Sequence, residues 1–376
     1  MNKDFTQNIL RFLLLIVIVL SSGCGPSNAT DSPTLTFASP QTPSNTATLN
    51  PTNTPEPIYP EGVLIYSTNN GVFAFDLQTT KVKVIASTDM KQEYSFVVKS
   101  SIYMLRDTSG SATQFEIFKL NLDGTNLEQL TSDGNKFSFA VSPNEDYIAY
   151  ALEINQLFLY DLKSNKSQMV FEKKDYAFTI GSWSLDGKKF VFSETELPAS
   201  VWGRNYLFSL DNSTTTRLLP NGVGIEVIGY ESQPSWSPNG KNLVLNLVTD
   251  LQSGYPDIYI LNIESNDLQK IATNMSGESF AWSPNGNMIL FESRTDPRKL
   301  YLFNLNSKEL ELIEVGEVNF PFYFPMWSPD GNYIAYFTNK TDNKWYLNIQ
   351  NMSTGENLKL EFPDAVNSAQ WIYPKH

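Results

Sequence analysis

The side chains best able to do chemistry in this chain are carboxylates. Glu194, Glu196, Asp250 and Asp257 stand in two segments rich in aromatic and polar residues. Two acids held at a suitable separation can hydrolyse a glycosidic bond without histidine. Other chemistries are poorly supplied. The single histidine, His376, excludes an ordinary Ser-His-Asp triad and a paired-histidine zinc site. The single cysteine, Cys24, excludes an internal disulfide framework and a cysteine-based zinc site. There is no Gly-x-Ser-x-Gly elbow, no phosphate loop and no complete calcium loop. The sequence therefore reads as non-catalytic, with no metal and no cofactor. The alternative is a carbohydrate-active enzyme working through paired acids.

Binding chemistry is better represented. Trp202 and Arg204, Tyr230 and Glu231, Asp250, Tyr255 and Asp257, and Phe320, Phe322 and Tyr323 combine aromatic faces with scattered charge. That mixture suits a protein or a glycan ligand. A formal net charge of −13 repels phosphate backbones, so nucleic acid is not an expected partner.

The elements that must carry these residues are set by a repeat. Trp-Ser-Pro-Asn/Asp-Gly stands at Trp236–Gly240, Trp282–Gly286 and Trp327–Gly331. Degraded copies stand at Trp183–Gly187 and Val141–Glu145. The period is about 45 residues, which fits a four-stranded propeller blade. Each unit places a short strand before the Trp, a turn at Ser-Pro-Asx-Gly, then three more strands. Proline presets φ in that turn, Asx bonds the local backbone and Gly takes positive φ. Second strands such as Tyr333–Tyr336 and Met288–Phe291 are apolar throughout. Third strands end in Asp or Asn, at Asp76, Asn121, Asp161, Asn262, Asn304 and Asn348, which are expected to close turns.

Seven second strands predict an all-β, seven-bladed β-propeller of four-stranded antiparallel blades over residues 61–376. The first unit, from Val63, lacks a preceding strand. Ser368–Trp371 supplies one, so the C-terminal strand is expected to pair with the first blade and close the ring. A tryptophan recurring once per blade reads as packing between blades rather than as a ligand cage. Four insertions depart from the repeat: Glu194–Asn205, Pro220–Ser232, Thr249–Asp257 and Val315–Tyr323. All four are expected to open on one face, and that is why the binding candidates are drawn from them.

The Trp-Ser-Pro-Asx-Gly repeats resemble those of TolB-type propellers and related WD40-like repeats. The resemblance covers nearly all of 61–376, strongly in four units and weakly in three. It implies the fold, and loosely a part in an envelope assembly. TolB itself has six blades and a further N-terminal domain, so seven units are a departure.

Lys3 and Arg11 precede the apolar run Phe12–Leu20, and Ser21-Ser22-Gly23-Cys24 follows. This is the order of a signal peptide, and the run is about half of the roughly 20 residues a spanning helix needs. It resembles a bacterial lipoprotein signal, which implies cleavage after residue 23 and lipid on Cys24. Residues 24–60 are rich in Ser, Thr, Asn and Pro and are expected to form an extended, disordered tether. The expected localisation is an exported, membrane-anchored lipoprotein facing the periplasm or the exterior.

Overall fold

The computed structural model describes residues 60–87, 92–111, 113–197, 202–219, 225–227, 233–248, 255–293, 299–313, 322–339, 344–362 and 365–373. The signal segment, Cys24 and the tether lie outside the described residues. Every regular element described is a β-strand.

The strands form seven antiparallel four-stranded blades, and one further short strand, Ile225–Val227, joins blades four and five into a single sheet. In each blade the first strand lies nearest the axis, where it adjoins the first strands of its neighbours. The fourth strand lies outermost, as the largely exposed Lys166–Glu172 illustrates.

The second strands are buried on both faces, which explains their unbroken apolar sequence. Ile102 to Leu105, Phe190 to Phe192 and Ile334 to Phe337 are each 0% exposed. Removing each such side chain from water contributes about 1.5–3 kcal/mol. The buried residues fall into seven clusters, one at each seam between adjacent blades. Seven blades in an open array would have six seams. The seventh joins Met326, Phe337 and Phe362 of blade seven to Leu64, Tyr66 and Trp371 of blade one. The C-terminal strand closes the ring as expected, with Leu64 opposite Trp371 and Val63 opposite Ile372.

The repeat turn is built alike in each blade that carries it. Ser237 Oγ donates to Asn239 Oδ1 at 2.7 Å, the Lys241 amide donates to the same oxygen, and the Asn242 amide returns to Ser237 Oγ. Gly240 holds φ 70°, and Glu145 takes the same position in the degraded copy at φ 57°. The tryptophans pack between blades. Their indoles donate across the seam, Trp183 to Ala140 O, Trp282 to Ser235 O and Trp327 to Ala281 O, at 3.0–3.1 Å. Trp371 donates instead to Glu61 O.

At the ends of the third strands, Asp76, Asp161, Asn262 and Asn304 accept backbone amides two or three residues on. One expectation is met by a different bond and one is corrected. Asn121 bonds Thr125 Oγ1 while Asp123 takes the Thr125 amide. Asn348 is buried inside its strand against Thr338, and Asn351 caps the turn in blade seven.

Candidate functional site

Antiparallel blades give the ring two unlike ends. One end carries the Ser-Pro-Asx-Gly turns and the turns between third and fourth strands; we call it the turn face. The other carries the connections from second to third strands and from blade to blade; we call it the loop face. Pro60, where the described propeller begins, and Tyr373, where it ends, both lie beside the closing pair at the turn face.

Five of the innermost strands are interrupted, at levels that differ from blade to blade. Register shifts occur between Gln92 and Ser95, Lys136 and Ser138, Ile180 and Trp183, Glu278 and Ala281, and Tyr323 and Met326. Ser279 and Phe324, both at these bulges, hold φ 51° and 53°. For a residue as bulky as Phe that backbone is unusual. Bulges bend a strand and are common at barrel rims beside binding sites.

Blade five carries the largest departure. Ile225 and Glu226 pair with Val248 and Leu247, which is the place the start of an innermost strand takes in other blades. The strand resumes only at Ser235 and Trp236. Ile225–Val227 also pairs with blade four, Trp202 opposite Val227 and Gly203 opposite Glu226. The segment expected as a simple blade-to-blade loop, Pro220–Ser232, is thus partly a strand. The Trp183-to-Trp236 interval, the longest in the series, is lengthened partly by this interruption. The first insertion is also shorter than expected, since Lys189–Glu196 and Trp202–Ser209 are strands.

The binding candidates distribute as follows. Tyr230, Glu231, Asp250 and Phe320 lie outside the described residues. Trp202, Phe322 and Tyr323 are placed by backbone alone, at the loop-face ends of their strands. Tyr255 is exposed, and its amide donates to Asn274 Oδ1 at 2.7 Å. Asp257 is 7% exposed, accepts the Asn274 amide and pairs with Lys270 at 2.6 Å. It orders the start of its strand.

Arg204 belongs to the most developed polar cluster at this end. It stands directly opposite Glu194, which is 1% exposed. Glu194 Oε1 accepts from Arg204 Nη1 at 3.0 Å, from Tyr206 Oη at 3.0 Å and from Lys173 Nζ at 2.9 Å, and Oε2 accepts Lys173 at 2.8 Å. Lys173 Nζ also lies 3.6 Å from the centroid of the Tyr176 ring. The Glu194 bond holds the Arg204 guanidinium above its usual pKa, and burial with Glu194 beside it pushes the Tyr206 hydroxyl up to about 12. Lys173, Tyr176 and Tyr206 were not singled out from the sequence. Their signal was weak, because Lys173 precedes its strand by three residues and meets Glu194 only across a seam.

Of the acids proposed for glycosidase chemistry, Glu194 and Asp257 are thus both held by cations, on different blades. Glu196 is exposed. Two other acids, Glu278 and Glu292, stand opposite one another in blade six at 1% and 2% exposure, inside strands read from sequence as structural. Among the described residues no group of three or more His, Cys, Asp or Glu side chains is placed to hold a metal ion.

This geometry defines a closed, seven-bladed propeller with a plain turn face and an elaborated loop face. A family model described as the TolB beta propeller domain matches residues 222–368. The Tol-Pal system protein TolB of Francisella tularensis subsp. tularensis (strain FSC 198) is 26% identical over 281 residues, covering 73% of this chain and 58% of that protein. The chain therefore spans little more than half of that relative's length. TolB from Acinetobacter baumannii superposes with a TM-score of 0.50 at 17% identity, covering 82% of this chain and 81% of that one. Oligogalacturonate lyase from Vibrio parahaemolyticus superposes at 0.58 with 16% identity, covering 80% and 86%. Both structures speak to the fold alone. The chain is similar to TolB-type propellers in repeat and architecture.

Proposed function

We propose that this chain is an exported, lipid-anchored, non-catalytic module that binds a protein at the cell envelope through its loop face. In this reading Cys24 carries the lipid, residues 24–60 form the tether, and the propeller faces the periplasm or the exterior. The observation that carries the reading is the division of labour between the two ends of the ring. The chain enters the propeller at the turn face. The loop face is where the insertions depart from the repeat. A closed ring fixes those segments and lowers the entropy lost on recognition. The similarity to TolB, a Tol-Pal system protein, supports a protein ligand in an envelope assembly. The described loop-face acids support binding rather than hydrolysis, since Glu194 and Asp257 are engaged by cations. A glycan ligand is the other reading, favoured by the aromatic residues of the insertions.

Two measurements test this. Wild type should incorporate a palmitate analogue and Cys24→Ala should not; equal labelling would remove the anchor. A photo-crosslinking residue at Tyr255 on the loop face should form protein adducts in cells, whereas one at Lys241 on the turn face should not. Adducts from Lys241 alone would reverse the assignment of faces.

A further inference from the structure

We propose that Lys173 and Arg204, fixed side by side by buried Glu194 at the seam of blades three and four, form a receptor for a carboxylate side chain of an acidic peptide segment. This rests on the protein-binding reading above and names the chemistry of one subsite.

One carboxylate needs one cation, and Glu194 has two, together with a tyrosine hydroxyl. Glu194 is 1% exposed, whereas Lys173 is 33% and Arg204 46% exposed. The acid is therefore the buried anchor, and the two cations are the part presented to solvent. The trio carries a net positive charge in a chain of net charge −13. Arg204 commits Nη1 to Glu194 and also bonds the Tyr176 side chain, which leaves the rest of its five-donor fork for a ligand. A guanidinium with donors to spare suits a carboxylate, which it can meet with two parallel bonds.

The cluster is also rigid. Its cations come from separate segments, Lys173 from the connection into blade four and Arg204 from that blade's third strand. The Lys173 amide donates to Asn155 O in blade three, which fixes its backbone. Such preorganisation reduces the entropy lost on binding.

The aromatic groups point to a carboxylate on a peptide rather than on a sugar. A sugar ring would need an open aromatic face. Lys173 covers one face of Tyr176, and Tyr206 stacks on Phe192 with centroids 5.4 Å apart. The charged donors are what the described cluster offers. Exposed Glu172 and Asp175 lie close to Lys173 in the chain, and Glu196 is exposed and stands opposite Tyr176. Glu196 should weaken an incoming acid, and it gives the proposal a second handle.

The test uses the propeller with its tether and fluorescence anisotropy of a labelled oligoglutamate peptide at low ionic strength. The chain's overall charge repels this probe, so saturable binding reports a local site. Arg204→Ala should weaken binding about tenfold or more. Arg204→Lys should weaken it less, Glu196→Gln should tighten it, and Lys241→Ala on the turn face should leave it unchanged. Thermal melts establish that each variant is folded. Oligoglutamine and oligogalacturonate serve as competitors, and neither should displace the peptide. No saturable binding, equal losses in Arg204→Ala and Lys241→Ala, or preferential binding of oligogalacturonate would overturn the proposal. If adducts at Tyr255 persist undiminished in Arg204→Ala, the protein-binding reading stands and this subsite falls.

Discussion

Trp183, Trp282 and Trp327 each donate an indole N–H to the innermost strand of the preceding blade. Trp236 occupies the same place in blade five, yet its Nε1 is buried with no hydrogen-bond partner among the described residues. This is the seam where the inner strand is interrupted and Ile225–Val227 is inserted. Replacing Trp by Phe removes ring volume at every site, but it removes a hydrogen bond only at the bonded ones. Trp282→Phe and Trp327→Phe should therefore be more destabilising than Trp236→Phe, by about 1 kcal/mol each. Urea denaturation of the three variants measures this. Equal losses would show that the indole bond contributes nothing beyond packing.

At the scale of the element, the turn tolerates two residues for one purpose. Asp186 and Asp330 accept the bonds that Asn239 and Asn285 accept in their own blades. Burial pushes the Asp186 carboxyl up, but the Ser184 hydroxyl, the Lys188 amide and the nearby lysines outweigh it, and the pKa is lowered. Burial is likewise outweighed at Asp330, by bonds from Ser328 and Asn332. A carboxyl whose pKa falls on folding stabilises the protein above its unfolded value, about 3.9. That contribution is lost as pH drops below 3.9 through the folded value. The double variant Asp186→Asn, Asp330→Asn should keep the fold and lose less stability than wild type between about pH 4 and pH 2. Melts across that range decide it, and identical pH profiles would refute the assignment.

The elements also show what the sequence could and could not convey. The repeat turn and the doubly buried second strands were legible because each recurs with fixed chemistry: Pro, Asx and Gly in the turn, unbroken apolar residues in the strand. Closure was legible because Ser368–Trp371 repeats a strand that the first unit lacks. Asn348 misled, since an Asn three residues before the turn looks like the turn residue when only the local pattern is visible. The Glu194 cluster was half visible, with Arg204 and Glu194 named for other reasons. Lys173 and Tyr206 reach it through cross-seam and cross-strand contacts that no local pattern encodes. The pairing of Ile225–Val227 with two blades was hidden for the same reason: three residues carry too little periodicity to mark a strand.

The whole molecule depends on one joint that the chain must close after everything else is made. Five seams join blades made of contiguous chain. The two seams of blade one need Ser368–Ile372 to lie beside Val63–Ser67. Ser368 also bonds Ser67 Oγ at 2.6 Å and Ser95 Oγ at 3.0 Å, and Gln370 exchanges two bonds with the Val97 backbone. The closing strand therefore holds blade one to blade two as well as completing blade one. Ending the chain at Phe362 removes Trp371 from the blade seven–one cluster and bares the edge of Val63–Thr68. The truncated protein should melt lower and associate, because an exposed, apolar edge strand pairs with other chains. Light scattering during a thermal melt would register both. A circular permutant that begins at Ala365 and joins Tyr373 to Pro60 through a short linker separates closure from mere chain length. It keeps every strand, moves the break to the connection before the closing strand, and should melt close to wild type without association. If the permutant failed as badly as the truncation, covalent order rather than ring closure would be what stabilises the fold.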